Sequence, residues 1–368
     1  MPQFTPHQDA ALRAISDWMK AKPGTRGTPP IFRLFGYAGT GKTTLAQTIA
    51  EGVDGEVKFA AFTGKAAMVM RSKGCAKAST IHSLIYRARE SGEEVPEFVL
   101  NEDAPASEAK LIVIDECSMV DADLGRDLMS FGVPVLVLGD PAQLPPIQGG
   151  GYFTEAEPDA MLTEVHRQAF DNPIIRLSME VRAGERPKPG IYGDTQVVRK
   201  DELDPQRVVD ADQVLVGRNA TRRAYNTRMR ERRGFEGVFP AAGDKLVCLR
   251  NNRKKGLFNG SLWTVKTAPT TRKQILKMRL LPDDFGTKAV AVSVRPECFT
   301  GAIDQLDWQM RKRYDEFDFG YVLTVHKSQG SQWDDVVLFD ESFAFPDSRD
   351  RWLYTGITRA AQKLTLVV

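Results

Sequence analysis

Gly36-Tyr37-Ala38-Gly39-Thr40-Gly41-Lys42-Thr43 is the stretch on which the fold turns. It fits the G-x-x-x-x-G-K-[ST] phosphate-loop template in full. The glycines let backbone N–H groups curl around a phosphate with no Cβ in the way. A helix beginning at Lys42 points the positive end of its dipole at the same anion. Lys42 is placed to reach β- and γ-phosphates, and the Thr43 hydroxyl to ligate Mg²⁺. Working outward, residues 31–35 read as a short apolar strand running straight into the loop, and residues 44–50 as the continuing helix. The template requires that strand before and that helix after, and a fortuitous turn has neither. By itself the loop says only that the phosphates of a nucleotide are bound.

Such a loop needs an acidic residue at the end of a neighbouring strand to hold Mg²⁺. Leu111-Ile112-Val113-Ile114 followed by Asp115-Glu116 supplies it. Asp115 would contact the shell of the metal. Glu116, one residue on, is placed to activate an attacking water as general base. An Asp-Glu pair alone is equally what a solvated strand end looks like. Four apolar residues before it and a complete phosphate loop upstream decide for chemistry. A carboxylate beside the metal site favours hydrolysis of ATP over transfer to a substrate hydroxyl.

Further out, the chain alternates strands and helices. Residues 5–19 read as a helix with Thr5 as N-cap and Pro6 at its first position. Residues 23–30 form a Gly/Pro/Thr linker. Strands follow at 57–62, 111–114 and 133–138, with a helix at 66–72 after Thr63-Gly64-Lys65. This alternation implies a parallel sheet covered on both faces. Residues 86–110 break the pattern and read as a small hairpin or loop around the apolar piece 95–100. A second unit begins near Gln168, with a strand at 214–217 and an Arg-dense helix at 222–233. The period then shifts toward two over 245–250, 261–267, 274–281 and 288–294, with an Asn259-Gly260 turn. That suggests a small β-barrel inserted in the second sheet. The α/β pattern returns at 321–325, 336–339 and 364–368.

The 368 residues are too many for one comfortable core, so two or three compact units are expected. Net charge is only +2, so any basic surface must be local. Cys75, Cys117, Cys248 and Cys298 show no metal-ligand spacing and read as free thiols in a reducing cytosol. No run approaches the ~18 apolar residues a membrane span needs, and the N-terminus carries no secretory pattern. A cytoplasmic protein, from a bacterium or a phage in its host, is expected.

Four more motifs occur in order: Asp115-Glu116-Cys117-Ser118, Gly139-Asp140-Pro141-Ala142-Gln143-Leu144-Pro145-Pro146, Thr324-Val325-His326-Lys327-Ser328-Gln329-Gly330-Ser331, and Tyr354-Thr355-Gly356-Ile357-Thr358-Arg359-Ala360. With the phosphate loop they make the chain resemble a superfamily 1B DNA helicase, of the RecD-like, phage Dda-like group, over Gln8 to Arg359. The resemblance implies an α/β fold of two RecA-like P-loop domains with parallel sheets. It implies domain 1A at 1–167 with a small 1B insertion at about 86–110. It also implies domain 2A at 168–368 with an SH3-like β-barrel insertion, 2B, at about 240–312. ATP would lie between the domains and single-stranded DNA across their tops.

Residue roles follow from the same resemblance. Gln8 is similar to the residue that reads the adenine edge. Gly36, Tyr37, Ala38, Gly39, Thr40, Gly41, Lys42, Thr43, Thr44 and Gly330 fall at nucleotide-contacting positions, with Thr43 and Asp115 on the metal. Gln143 resembles the residue near the γ-phosphate that links nucleotide state to DNA grip. Arg167 resembles the first arginine on the γ-phosphate, and Arg359 the second, donated from the other domain. Such an arginine is commonly worth about 10³-fold in rate. DNA contacts are implied for Thr63, Gly64, Lys65, Thr80, His82, Thr324, His326 and Lys327. Their hydroxyls, helix-start amides and cation suit phosphate gripping, which carries no sequence information.

Arg218, Arg222, Arg223, Arg228, Arg230, Arg232 and Arg233 form the strongest basic cluster, and Arg250, Arg253, Lys254 and Lys255 another. Each reads as a solvated charged face or as a footprint for phosphates. Phe258, Trp263 and Phe98 are candidates for stacking or strand wedging, with core packing the blander reading. Gln332-Trp333 and Gly356 depart from the family pattern without removing a chemical group. The chain lacks the long N-terminal region of larger RecD relatives and any nuclease-like carboxylate cluster, so a compact, free-standing monomer is expected.

The leading expectation is an ATP-dependent helicase moving 5′ to 3′, a polarity implied by the family alone. It would act on single-stranded DNA and single-strand/duplex junctions in replication, recombination or repair, alongside single-strand-binding or replisome proteins. The alternatives are a translocase that strips proteins without useful unwinding, a nucleic-acid-binding protein with vestigial ATPase, and a motor on RNA.

Overall fold

The computed structural model describes residues 4–25, 27–89, 97–145, 151–164, 171–252, 255–272, 274–283 and 288–368. The chain forms two compact units: Met1–Arg186 with Asp350–Thr358, and Pro187–Arg349 with Arg359–Val368.

The first unit is built on six strands: β1 (Ile31–Gly36), β2 (Val57–Ala61), β3 (Ser79–Thr80), β6 (Leu111–Asp115), β7 (Val135–Gly139) and β8 (Ala160–Leu162). They run in the order β3-β2-β6-β7-β1-β8, and every pairing is parallel. Side chains alternate between the two faces. Leu111, Val113, Leu136 and Leu138 pack with Ala11, Ile15, Trp18 and Leu45. Ile112, Ile114, Val135 and Val137 pack with Ile81, Ile85, Leu124 and Leu128. Because both faces are covered, the central strands read as unbroken apolar runs.

The N-terminal helix, Pro6–Lys20, starts on a capping box. Thr5 Oγ1 accepts from the Gln8 N–H, and the Gln8 side chain accepts from the Thr5 N–H. The 86–110 segment is a two-stranded antiparallel hairpin of β4 (Tyr86–Arg89) and β5 (Glu97–Leu100), with Tyr86 opposite Leu100. The Tyr86 hydroxyl donates to Asp127 and ties the hairpin to the helix Ala122–Met129. The unit also holds the helix Pro173–Arg182 and nearly all of the helix Arg349–Ile357, whose residues 352–357 are buried.

The second unit carries β9 (Gly190–Tyr192), β10 (Thr195–Val198), β11 (Gln213–Val216), β17 (Val322–Thr324), β18 (Trp333–Phe339) and β19 (Ala360–Val367). The order is β17-β11-β18-β19-β10-β9, parallel except for β9. Between β11 and β17 the chain builds an antiparallel sheet of β12 (Lys245–Cys248), β13 (Leu262–Arg272), β14 (Ile275–Pro282), β15 (Val290–Val294) and β16 (Phe317–Phe319). The order is β15-β14-β13-β12-β16. The sequence pattern anticipated its first four strands and not β16, a three-residue strand too short to show a period. Val294, at the end of β15, makes an isolated bridge to Asp315, two residues ahead of β16. The inserted sheet shares one apolar core with the parallel sheet, since Leu246, Val265, Leu280 and Phe317 cluster with Val214, Val216, Val337 and Phe339. Among the described residues, no helix is long and apolar enough to cross a membrane.

Candidate nucleotide and nucleic-acid sites

The parallel order of the first sheet sets out its carboxyl ends in a row. Thr80 ends β3, Thr63 follows β2, Asp115 ends β6 with Glu116 next, Asp140 follows β7, and Gly36 ends β1 and opens the phosphate loop. Ligands of open α/β sheets bind along this edge.

The loop itself is tightly held. Gly41, with φ of 81°, takes the left-handed conformation ahead of the helix Lys42–Glu51, and a Cβ there would meet Gln8 Nε2 at 2.7 Å. A Cβ on Gly36 would meet Thr40 Oγ1 at 2.7 Å and Leu162 Cβ at 2.8 Å. Buried Thr40 donates its hydroxyl to Tyr37 O. Lys42 Nζ donates to Gly36 O at 2.6 Å and Tyr37 O at 3.1 Å, so its ammonium lies folded over the loop. Thr43 is half-buried and Thr44 exposed in the first helical turn.

Gln8 is buried, and its Nε2 donates to Thr40 O at 3.0 Å. Both ends of its amide are therefore engaged, one in the capping box and one on the loop. The family resemblance implies that Gln8 reads the adenine edge; in the structure its amide also braces the phosphate loop.

At the end of β6, Asp115 Oδ1 accepts from the Glu116 N–H at 2.8 Å. Glu116 has φ of 53° and ψ of 45°, a left-handed conformation that costs a side-chain-bearing residue on the order of 1 kcal/mol. Strand β7 lies between β6 and β1, so the loop after it falls between the carboxylates and the phosphate loop. In that loop the Gln143 N–H donates to Asp140 O, and the buried Oε1 of Gln143 has no hydrogen-bond partner among the described residues. Tyr354, 1% exposed, accepts from the Ala38 N–H at 2.9 Å and donates to Asp140 Oδ2 at 2.7 Å. Thr355 Oγ1 accepts from the Leu144 N–H. The sequence singled out neither contact of Tyr354, because residues 38, 140 and 354 are brought together only by folding.

The loop fits a nucleotide's phosphates: its glycines leave a cradle that a Cβ would fill, with a lysine over it. Thr43 and Asp115 are a hard-oxygen pair of the kind Mg²⁺ takes alongside water and phosphate. No group of three or more His, Cys, Asp or Glu among the described residues could hold a metal. All four cysteines are buried free thiols, and burial pushes those of Cys117, Cys248 and Cys298 up.

Arg167 lies outside the described residues. In the second unit, Arg359 is buried and donates to Ser331 O at 3.1 Å, next to Gly330 with φ of 72°.

Among the expected nucleic-acid positions, Thr63 and Thr80 each cap a helix, accepting from the Ala66 and Ser83 N–H groups. Gly64 and Lys65 are buried, so that strand end presents Thr63 and not the lysine head. The His82 ring lies 6.2 Å from Phe62 and 5.6 Å from Tyr86. In the second unit, Thr324 Oγ1 accepts from the Lys327 N–H, and the His326 ring lies 5.0 Å from Phe345. Burial lowers the pKa of His326; burial and then the like charge of Arg222 lower that of Lys327.

Much of the basic run is structural. Arg230 is buried against Asp244, Arg222 pairs with Asp318, and Arg218 with Glu341. Arg223, Arg228 and Arg232 remain exposed. In the other cluster Arg250 pairs with Glu316 and Lys255 with Asp315, while Arg253 and Lys254 lie outside the described residues. Trp263 is core, its Nε1 donating to Ser261 Oγ, and Phe258 is half-buried. The side chain of Phe98 lies outside the described ones.

Residues 27–202 match the family model described as AAA domain, and residues 319–367 that of the UvrD-like helicase C-terminal domain. The chain is 30% identical over 362 residues to the ATP-dependent RecD2 DNA helicase of Deinococcus radiodurans, covering 90% of this chain and 46% of that protein. It is 32% identical over 165 residues to the ATP-dependent DNA helicase Dda of Enterobacteria phage T4, covering 41% of this chain and 37% of that one. The chain thus spans less than half the length of each of these relatives. A solved Pif1 helicase structure, from work on DNA unwinding at forked duplexes, superposes with a TM-score of 0.61 at 17% identity, covering 100% of this chain and 92% of that one; it shows the shared fold. With an AAA domain match, a UvrD-like helicase C-terminal match and two sheet-based units, the chain is similar to the RecD-like and Dda-like helicases.

Proposed function

We propose that the chain is an ATP-driven motor on single-stranded DNA, a helicase that moves 5′ to 3′ and separates strands at single-strand/duplex junctions. The observation that supports it best is the row of strand ends in the first unit. One sheet edge carries the phosphate loop, the Asp115-Glu116 pair, Gln143, and the helix caps Thr63 and Thr80. A nucleotide site and a phosphate-gripping site thereby share one rigid sheet.

Bound ATP with Mg²⁺ supplies the phosphoanhydride whose hydrolysis drives the motor. The loop amides and Lys42 would hold its phosphates, and Thr43 and Asp115 would hold the metal. Glu116 would take the proton of the attacking water, and Oε1 of Gln143, without a partner among the described residues, is an acceptor that can orient that water or sense the terminal phosphate. Arg167 and Arg359 stabilise charge on the transferring phosphoryl group. Arg359 belongs to the second unit. Thr63, Thr80, Thr324, His326 and Lys327 contact the strand.

We take the first unit as domain 1A with its hairpin as 1B, and the second as 2A with the antiparallel sheet as 2B. The motor works as a monomer in the cytosol, with single-strand-binding or replisome proteins as partners. Forked duplexes with a single 5′ or a single 3′ tail test this reading. ATP-dependent separation of the 5′-tailed fork alone is expected. Separation of the 3′-tailed fork alone reverses the polarity, and displacement of a bound protein without unwinding of either fork makes the chain a translocase.

A further inference from the structure

Phe343 is 60% exposed, yet it stands on a rigid base. The Ser342 N–H donates to Asp340 Oδ1 at 2.8 Å; the Ala344 N–H donates to Glu341 O and the Phe345 N–H to Ser342 O. Beneath it, the carboxylate of Glu341 is buried and accepts from the Gly217 N–H, the Arg218 N–H, Arg218 Nε and Thr221 Oγ1 at 2.6–2.9 Å. That grip fixes one edge of the Arg218 guanidinium, which lies 5.6 Å from the centroid of the Phe343 ring with its side chain 54% exposed. An aromatic face and a cation are thus displayed together, the ring on a hydrogen-bonded turn and the guanidinium on the buried carboxylate of Glu341.

Their place in the sheet matters. Strands β17, β11 and β18 are neighbours, and their carboxyl ends lead to His326, to Arg218 and to Phe343. Phe345, two residues beyond Phe343, packs on the His326 ring.

We infer that Phe343, with Arg218 beside it, is a stacking platform for a base of the single strand that passes His326. This rests on the reading of the chain as a single-strand motor. An exposed aromatic face accepts any base, because every base has a π-face, and the adjacent guanidinium suits the backbone phosphate. No partner made of protein is needed to explain the pair, and sequence-tolerant binding follows from it.

The test is fluorescence anisotropy of the full chain with a labelled dT16 strand, and with a strand of the same length whose central residues are abasic. Phe343→Ala should weaken binding of dT16 about tenfold. Phe343→Trp should bind as the native chain does. The abasic strand should cost the native chain a comparable factor and cost Phe343→Ala little more, since both changes remove one stacked pair. Melting temperatures of both variants should match the native chain, because the side chain is mostly in solvent.

Equal dT16 affinity of Phe343→Ala and the native chain overturns the platform and leaves the motor reading intact. So does a Phe343→Trp variant as weak as Phe343→Ala, or a full additive loss on the abasic strand. Failure of the native chain to bind dT16 overturns the platform together with the reading beneath it.

Discussion

The buried phenol of Tyr354 donates to the carboxylate of Asp140 at 2.7 Å and accepts, through the same oxygen, the N–H of Ala38 at 2.9 Å. One hydroxyl thereby joins the phosphate loop to the loop that carries Gln143. Burial, and then the charge of Asp140, push the Tyr354 pKa far up, so the phenol keeps its proton at any physiological pH. Tyr354→Phe keeps the ring and removes both bonds. It should cost about 1–3 kcal/mol in thermal or urea unfolding, the price of leaving buried polar groups unsatisfied. It should also lower kcat for ATP more than it raises KM. A variant with native kcat would reduce Tyr354 to packing.

Glu116 keeps a left-handed backbone that any side chain with a Cβ finds unfavourable. Glu116→Gln preserves that cost and the shape, so nucleotide affinity and melting temperature should hold while kcat falls by about 10²-fold or more. Measured by phosphate release and by equilibrium binding of a fluorescent ATP analogue, a rate within a few-fold of native would remove Glu116 from the role of general base.

In the second unit Asp244 is fully buried and accepts from Arg230 Nε and Nη2, the Ala241 N–H and the Tyr321 hydroxyl. Asp244→Ala leaves a buried guanidinium without its counter-charge and should cost about 3–5 kcal/mol. Urea unfolding followed by a probe in the second unit measures it; a loss under 1 kcal/mol, on the order of an exposed pair, would contradict this account of the helix Asn219–Arg232.

Glu341 carries a pH signature. Burial alone would raise its pKa, but Thr221, the Arg218 and Gly217 amides and the Arg218 side chain together bring it below the ordinary carboxylate value. A group whose folded pKa is depressed lends stability that is present above its unfolded value, about 4.3, and lost as pH falls through the folded one. Melting temperature should therefore drop on acidification below about pH 5. Glu341→Gln should be less stable at neutral pH and show a shallower acid drop. An unchanged slope would mean other carboxylates set it.

The first sheet was legible because its strands are buried on both faces and so read as apolar runs, and because Gly36–Thr43 needs a fixed local geometry. The capping box at Thr5 and Gln8 was half legible: Thr5 read as a cap from local chemistry, while the bond from Gln8 to Thr40 spans 32 residues and left no pattern. The Arg-rich helix misled for a physical reason. Composition counts Arg230 and Arg222 as surface charge, whereas Asp244 and Asp318, distant in sequence, neutralise them. Trp263, a stacking candidate with core packing as the blander reading, lies in the core with its indole N–H on Ser261. Phe343 went unmarked because a single exposed Phe has no signature; what distinguishes it is Glu341 beneath and Arg218 beside it.

The central claim is that nucleotide hydrolysis at the phosphate loop is coupled to single-stranded DNA. Steady-state phosphate release with and without a saturating dT strand measures it most directly, using the native chain and Lys42→Ala. The account predicts that DNA raises the native rate severalfold or more, and that Lys42→Ala loses about 10²-fold or more and gains nothing from DNA. A native rate indifferent to DNA, or a Lys42→Ala rate still stimulated by it, would contradict the account.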